Sequence, residues 1–376
     1  QVYDKLDTLV EKKEIKKNEE ALEDYYKALE LDSNCASAQM SLCAYYSEFF
    51  NVEQIEYYVQ EILANDGISF EEKTRYIEFA FKLYQNNADY VQKIENVFET
   101  VIKANPESTS ALLMYAHVLN EFKNTPKMLE VLHSAVLLDE KCLNCWKELI
   151  AAVVYTDEDD ILKTKELVAQ ALQHFPEDAY LLFVEGSILL IEENELGAFE
   201  SYKKAAENAP AQSKLSEQIY MALSGMHIPE AMMFTREGIH LYPQNLMLLN
   251  NYAYNVAVYW AMNKEYMSAE KLSEFKGILD EAEKISESTV KADAINPYYL
   301  DTYAYILFLQ GKYTLARFYI EQALNYDKEG NSEVLEHYGD ILIALGEKQT
   351  AVKYYEAAYL INPTQELSNK IKQYEK

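Results

Sequence analysis

Glycine and proline are scarce in this chain, with 10 and 8 residues respectively among 376. A β-rich fold needs a turn about every 8–12 residues and relies on these two residues to make it. Their shortage disfavours a sandwich or a barrel and favours helices joined by short loops. No apolar run approaches the roughly 20 residues that cross a bilayer, so we expect no transmembrane segment.

Cysteine is also rare, with four residues, so we do not expect disulfides to hold the fold together. Cys35 and Cys43 are separated by about two helical turns, which is too far for a bond along one helix. Cys142 and Cys145 form a C-x-x-C motif. We expect this pair to serve packing, with a disulfide or redox role as the alternative. A zinc site is disfavoured because no second pair or nearby histidine completes it.

Positive charge is in short supply, since 34 basic residues face 62 acidic ones and the formal net charge is −28. A surface this negative repels phosphate backbones and anionic lipids. Nucleic acid is therefore excluded as the expected partner. We interpret the charge mainly as keeping a long chain with 32 tyrosines in solution.

Small and large residues recur along the chain at fixed intervals. Two segments, 179–210 and 332–363, share six positions in the same register. These positions are Gly186, Leu189, Ala198, Tyr202, Ala205 and Pro210 in the first segment, and Gly339, Leu342, Ala351, Tyr355, Ala358 and Pro363 in the second. Related spacings return at steps of about 34 residues, which is the mark of a repeat architecture.

The spacing has a direct physical meaning. A glycine or alanine on one helix and an alanine on the next allow two antiparallel helices to approach closely, and a tyrosine fills the space beside them. The closing proline cannot continue a helix and sets the turn into the next unit. Because one helix pair cannot bury its apolar face alone, neighbouring pairs must stack.

The periodicity predicts an all-α fold of about ten antiparallel helix pairs in one continuous array over residues 1–376. The predicted units are 1–34, 35–72, 73–108, 109–142, 143–178, 179–211, 212–245, 246–296, 297–331 and 332–365, followed by a C-terminal helix at 366–376.

The pattern resembles the tetratricopeptide repeat, W-x-x-L-G-x-x-Y…A-x-x-x-F…P, most specifically in the last five units and in the unit from Thr109. The resemblance implies a right-handed superhelical solenoid that binds a protein or peptide without catalysis or cofactor. It also implies that the first helix of each unit lines a concave groove.

Three stretches, 250–254, 299–304 and 335–340, look like the C-terminal region of large exported bacterial repeat proteins. This resemblance implies a periplasmic or outer-membrane-associated location at the bacterial cell envelope; a cytoplasmic one is the alternative. The chain begins with Gln1 and has no basic and apolar leader, so we expect it to be a mature or partial chain.

The predicted groove residues are those on first helices that the repeat does not use for packing. The candidate partner-binding residues are Phe81, Tyr84, Lys147, Tyr155, Tyr180, Phe183, Tyr220, Asn250, Tyr254, Tyr298, Tyr305 and Phe308. His117, Asn120 and Asp301 fall at the same kind of position, and the last unit offers Glu333, Glu336 and Asp340. We therefore expect a groove that is aromatic in the middle and acidic at its far end.

An aromatic groove suits a peptide that docks through apolar side chains, with tyrosine hydroxyls as hydrogen-bond partners. A carbohydrate stacked on the tyrosines is the alternative. Some proteins of this kind grip a peptide's terminal carboxylate with lysine, arginine and asparagine. Only Lys147 approximates that chemistry here, so we do not expect such a clamp.

No catalytic or metal-binding motif occurs in the sequence. There is no glycine-rich phosphate loop, no H-E-x-x-H and no G-x-S-x-G, and no two of the six histidines lie four residues apart. We expect His337 to be a solvated or capping residue. The acidic run 157–160 lacks the glycine and the final glutamate of a calcium loop and is typical of a turn that starts a helix.

The segment 261–277 interrupts the periodicity and is rich in methionine, glutamate and lysine. It is compatible with a longer first helix, a projecting loop or a kink. We interpret it as a surface insertion, with contact to a partner as the alternative.

Overall fold

The computed structural model describes residues 21–49, 51–156, 161–226, 228–328 and 330–374. Within these ranges the chain is helical with no strand, which confirms the predicted all-α class. The predicted helix-starting turn at 157–160 lies outside the described residues. The chain divides into two compact units, residues 1–174 and 175–376. That both join in one continuous right-handed solenoid stays a prediction.

Unit 1 is built from helices connected by short loops. They are α1 (residues 21–31), α2 (Ala36–Glu48), α3 (Val52–Ala64), α4 (Phe70–Tyr84), α5 (Tyr90–Ala104), α6 (Thr109–Glu121), α7 (Thr125–Leu138), α8 (Leu143–Thr156) and α9 (Ile161–His174).

Unit 2 continues the same alternation. Its helices are α10 (Ala179–Ile191), α11 (Glu195–Asn208), α12 (Lys214–Ser224), α13 (Pro229–Leu241), α14 (Leu246–Asn263), α15 (Ala269–Ala292), α16 (Pro297–Leu309), α17 (Tyr313–Tyr326), α18 (Ser332–Ala344), α19 (Lys348–Ile361) and α20 (Gln365–Tyr374).

One helix pair begins inside the preceding predicted unit. Helix α4 starts at Phe70, inside the predicted unit 35–72. The reason is a capping box, in which Ser69 Oγ accepts the Glu72 N–H and the Glu72 carboxylate accepts the Ser69 N–H. These two hydrogen bonds provide acceptors for N–H groups that the first turn of a helix leaves without partners.

Small residues lie where two helices of a pair meet. Ala198 and Ala351 are fully buried, and Gly186 and Gly339 are buried as well. A Cβ at Gly186 would lie 2.6 Å from Tyr202 Cδ1, and one at Gly339 would lie 2.6 Å from Tyr355 Cδ1. The repeated glycine thus makes room for the tyrosine on the second helix, as the spacing predicts.

The insertion at 261–277 forms helix rather than a loop. Helix α14 has 18 residues and α15 has 24, against 13 and 14 in the following pair, and a 3₁₀ turn (Lys264–Tyr266) connects them. The Phe275 ring packs against Tyr259 and Trp260, with centroids 5.0 and 6.0 Å apart. Both helices of this pair therefore extend beyond the repeat length, with the first turns of α15 largely exposed.

The last helix pairs of unit 2 share one apolar core. It runs from Val290 on α15 to Leu367 on α20 and includes the fully buried Ile320 and Ile341. None of the described helices is both long enough and apolar enough to span a membrane.

Candidate functional site

The first helices of unit 2 lie side by side, since α12 packs against α14, α14 against α16 and α16 against α18. We call the surface that these helices expose the first-helix face. Asparagine begins three of them: Asn245 Oδ1 accepts the Leu248 N–H, Asn296 Oδ1 accepts the Tyr298 N–H, and Asn331 Oδ1 accepts the Glu333 N–H. These caps fix where each first turn starts and therefore which side chains reach the face.

A cleft of about 300 Å³ opens on this face between α14, α16 and the start of α18. We call it the acidic cleft and define it by Asn250, Tyr254, Tyr298, Asp301 and Glu333, all of which line it. Asn250 and Asp301 are buried, with 7% and 5% of their surfaces exposed, whereas Tyr298 is 59% exposed. The cleft thus has a buried polar floor and an accessible aromatic ring.

Tyr254 connects helices that are two pairs apart in the sequence. Its hydroxyl donates a hydrogen bond to a Glu333 carboxylate oxygen. Burial raises the pKa of Tyr254, and the charge of Glu333 raises it further, so this hydroxyl stays protonated and remains a donor. One oxygen of Glu333 is thereby occupied at the edge of the cleft.

The side-chain amide of Asn250 places a hydrogen-bond acceptor in the lining of the cleft. Its Oδ1 is buried and has no hydrogen-bond partner in the described part of the chain. A buried acceptor without a donor costs about 1–3 kcal/mol of stability. This oxygen is thus an acceptor in the lining of the cleft to which no described residue donates.

His337 lies behind the cleft, buried between α16 and α18. Its Nδ1 is 2.9 and 3.1 Å from the two oxygens of Asp301, and its ring stacks on Tyr305 with centroids 4.0 Å apart. Burial by itself lowers the pKa of His337, but the charge of Asp301 and its hydrogen bond outweigh burial, and the pKa is raised. The expectation of a solvated or capping histidine was therefore wrong, because the neighbouring first helix supplies a carboxylate.

The predicted acidic far end is partly neutralised. Lys370 of α20 places its Nζ 2.7 Å from Glu336 Oε1 and 2.9 Å from both oxygens of Asp340. Asp340 also accepts a hydrogen bond of 2.7 Å from the Tyr355 hydroxyl. Among the predicted acidic residues of the last unit, Glu333 alone belongs to the cleft, and Lys370 was not anticipated.

The sign of the potential in the cleft follows from two opposing effects. The first turns of α16 and α18 lie at the cleft, and the positive end of a helix dipole favours anions by about 0.3–1 kcal/mol. A hydrogen bond to a charged group contributes about 1.5–3 kcal/mol. The carboxylates of Asp301 and Glu333 therefore outweigh the helix dipoles. A protonated His337 offsets part of the Asp301 charge, so the Glu333 carboxylate is the main attraction for a cation.

Residues 332–365, which hold α18 and α19, match a family model described as "Tetratricopeptide repeat". The chain contains a tetratricopeptide repeat. This confirms the predicted family of repeat, whereas the resemblance to exported bacterial proteins stays a prediction.

Several solved structures are similar to this repeat protein. A tetratricopeptide repeat protein from Parabacteroides merdae is 15% identical, with 80% of this chain and 99% of that chain covered and a TM-score of 0.34. PilW, described as a widely conserved type IV pilus biogenesis factor, is 17% identical over 62% of this chain and 98% of its own, with a TM-score of 0.45. YrrB, described as having an unusual peptide-binding site, is 13% identical over 67% of this chain and 97% of its own, with a TM-score of 0.34.

No curated protein sequence matches the chain. The TM-scores of the three structures lie below 0.5.

The structure brings together three of the predicted partner-binding residues of unit 2, namely Asn250, Tyr254 and Tyr298, in the acidic cleft. Tyr305 and Phe308 are half-buried nearby on α16, with ring centroids 6.2 Å apart. On the two first helices before α14, Phe183 and Tyr220 pack instead against partners in their own helix pairs.

Tyr220 is buried with 4% of its surface exposed, because it fills the space beside Gly238 on α13. In this pair the glycine is on the second helix and the tyrosine on the first, the reverse of the pairs that hold Gly186 and Gly339. The placement of Tyr220 in the groove was therefore wrong. Phe183 is half-buried and lies against Tyr202, 5.7 Å between centroids, and Tyr180 is half-buried as well.

In unit 1, Tyr84 is also a core residue, with 3% of its surface exposed. Its hydroxyl accepts a hydrogen bond of 3.2 Å from Gln60 Nε2, and Lys93 Nζ lies 4.5 Å from its ring. These partners belong to the second helices α3 and α5, so the predicted position in the groove was wrong. Phe81 packs on Tyr90 and Phe98 of α5, each 6.4 Å away.

Two further predicted residues of unit 1 lie on α8. Tyr155 is 84% exposed and lines a cleft together with His117 and Asn120 of α6. Lys147 is half-buried on the same helix. The volume of this cleft is about 300 Å³.

Contrary to the expectation, Cys142 and Cys145 do not serve packing alone. Cys142 and Cys145 form a disulfide at the start of α8, so the alternative of a disulfide is correct for this pair. Cys35 and Cys43 are free, in keeping with their separation along α2. Among the residues that the structure describes, no group of three or more His, Cys, Asp or Glu side chains is arranged to hold a metal ion.

Proposed function

We propose that this repeat protein is a non-catalytic scaffold that binds a segment of another polypeptide at the first-helix face of unit 2. The observation that carries the proposal is the acidic cleft itself, where three successive first helices contribute side chains to one open depression. A polypeptide can fill such a depression with a side chain while its backbone crosses the neighbouring helices.

The alternative, a carbohydrate stacked on tyrosines, finds less support in the geometry. The Tyr305 ring is already covered by His337, and the Tyr254 hydroxyl is already bonded to Glu333. Tyr298 is the exposed ring at the cleft. One accessible ring suits a peptide side chain better than the extended platform that a glycan chain requires.

A random twelve-residue peptide library displayed on phage and selected on the full chain tests the proposal. We expect enriched peptides that bind the Tyr298→Ala variant about tenfold more weakly, the equivalent of losing about 1.4 kcal/mol. The matched control is Tyr359→Ala, since Tyr359 is a partly exposed tyrosine of the second helix α19.

Two outcomes would contradict the proposal. One is a selection that yields no peptide above background, with a glycan array positive for the same protein, which would favour the carbohydrate alternative. The other is a set of peptides whose affinity is unchanged by Tyr298→Ala, which would move the binding surface away from the cleft.

We also propose that the protein works in an oxidising compartment such as the periplasm. The Cys142–Cys145 disulfide supports this location, because disulfides persist in exported proteins and are rare in the cytosol. Thiol alkylation in intact cells, followed by mass spectrometry, checks it. Alkylation of both Cys142 and Cys145 before any reductant is added would contradict an oxidising location.

A further inference from the structure

The acidic cleft offers acceptors from three different helices. Asn250 Oδ1 on α14 has no hydrogen-bond partner among the described residues, the Asp301 carboxylate lies on α16, and the Glu333 carboxylate lies on α18. Asn250 is more than nine-tenths buried, and its side chain lines the cleft. A ligand that fills this cleft must therefore bring hydrogen-bond donors and, because of the two carboxylates, positive charge.

We propose that the acidic cleft binds the ammonium group of a lysine side chain on the polypeptide partner, an inference that rests on the proposed peptide-binding function. The three N–H groups of an ammonium can address single acceptors on separate residues. The net charge of −28 on the chain attracts a cationic partner over the same surface.

The hydrogen bonds that the two carboxylates already make favour lysine over arginine as the ligand. A guanidinium is a planar fork that binds best to a carboxylate with both oxygens free. Both Asp301 oxygens face His337 Nδ1, and one Glu333 oxygen accepts the Tyr254 hydroxyl. Neither carboxylate offers two free oxygens. A guanidinium therefore cannot gain from two parallel hydrogen bonds to one carboxylate, whereas an ammonium, which bonds separate acceptors, loses nothing.

The wall of the cleft suits the remainder of a lysine side chain. Tyr298 presents its exposed ring at the edge of the cleft. The methylene stem of a lysine can lie along apolar surface while its charged end reaches polar groups, and aromatic faces attract cations. The aromatic ring thus suits the methylene stem of the lysine, and the acceptors suit its ammonium group.

The test begins with the peptides selected on the full chain. We expect lysine to be enriched in them at one position. For one such peptide, replacing that lysine by Nε-acetyl-lysine should weaken binding about tenfold or more, and replacing it by arginine should weaken it by a smaller factor. The affinity should also fall as salt is added, because the contact is between charges.

Two protein variants locate the contact. Glu333→Gln keeps an oxygen that accepts the Tyr254 hydroxyl but removes the charge, and we expect about tenfold weaker binding of the lysine peptide. The matched control is Glu356→Gln, because Glu356 is an exposed glutamate on α19, away from the first-helix face. Asn250→Leu should weaken binding while the thermal midpoint of the protein rises.

The possible failures can be told apart. Selected peptides without lysine, or a lysine peptide that Glu333→Gln leaves unaffected, would overturn the lysine assignment and leave the peptide-binding function standing. A selection without any enriched peptide would overturn the function as well. Spermidine, which carries the same ammonium chemistry, is the probe for a free amine. Binding of spermidine in the absence of any enriched peptide would overturn a polypeptide as the source.

Discussion

Adding one methyl group to Gly339 should destabilise the last helix pair. The new Cβ would lie 2.6 Å from Tyr355 Cδ1, closer than carbon atoms approach each other. Tyr355 cannot yield easily, because 1% of its surface is exposed and its hydroxyl donates to Asp340. The methyl group therefore forces apart two helices whose contact the repeat depends on.

Three effects set the size of the change in the free energy of unfolding for Gly339→Ala. Replacing glycine by alanine within a helix favours the helix by about 1 kcal/mol. Overpacking costs about 1–3 kcal/mol, and a shifted Tyr355 ring loses part of a charged hydrogen bond that is itself about 1.5–3 kcal/mol. We expect a net loss of about 1–3 kcal/mol for Gly339→Ala.

Gly277 provides a matched control for Gly339→Ala within the same chain. Gly277 lies in α15, and a Cβ there would meet nothing within 4 Å. Gly277→Ala should therefore stabilise the protein by about 0.5–1 kcal/mol. The same chemical change thus has opposite signs at two helical positions.

Urea denaturation followed by circular dichroism measures both variants, and hydrogen exchange of residues 332–361 shows whether the loss is local. The double variant Gly339→Ala with Tyr355→Leu should be less destabilised than the sum of the two single changes. If Gly339→Ala stabilised the protein as Gly277→Ala does, the close fit of glycine and tyrosine would not hold the pair together.

Three further changes have expected outcomes. Asn250→Leu removes a buried acceptor that has no partner in the described part of the chain and should raise the free energy of unfolding by about 1–2 kcal/mol in urea; a loss of stability would mean that Oδ1 does have a partner. Because Asp301 raises the pKa of His337 above 6.5, the protonated ring stabilises the fold below that pH and the contribution is lost as pH rises through the raised pKa. The urea midpoint should therefore fall as pH rises above about 6.5, and His337→Gln should remove this dependence; an unchanged slope would contradict the buried ion pair. The Cys142–Cys145 disulfide closes a very short loop, so its reduction should cost unit 1 about 2 kcal/mol or less in a thermal melt; a larger loss would show that the bond does more than constrain the unfolded chain.

The helix pairs could be predicted from the sequence because the signal is local. A glycine or alanine at a fixed distance from a tyrosine records how closely two adjacent helices approach, as at Gly339 and Tyr355. The same rule misplaced Tyr220, since Gly238 lies on the other helix of that pair. Size alone does not tell which helix of a pair provides the space.

The candidate site could be predicted only in part, because its key contacts join different repeats. Asn250, Tyr254 and Tyr298 were found from their positions on first helices. The pairing of His337 with Asp301 spans 36 residues, about one repeat, and is visible only when successive first helices are compared side by side. Lys370 comes from α20, which lies outside the repeated pairs, so the periodicity carried no signal for it.

Asp301 borders the acidic cleft and also holds the buried imidazole of His337. A positive charge on either side weakens the attraction that this carboxylate offers to the other. Because coupling free energies are reciprocal, a cation in the cleft must make His337 release its proton more readily, and the protonated ring must disfavour the cation by the same factor. Asp301 therefore couples the binding of a ligand at an open cleft to the protonation of a buried side chain.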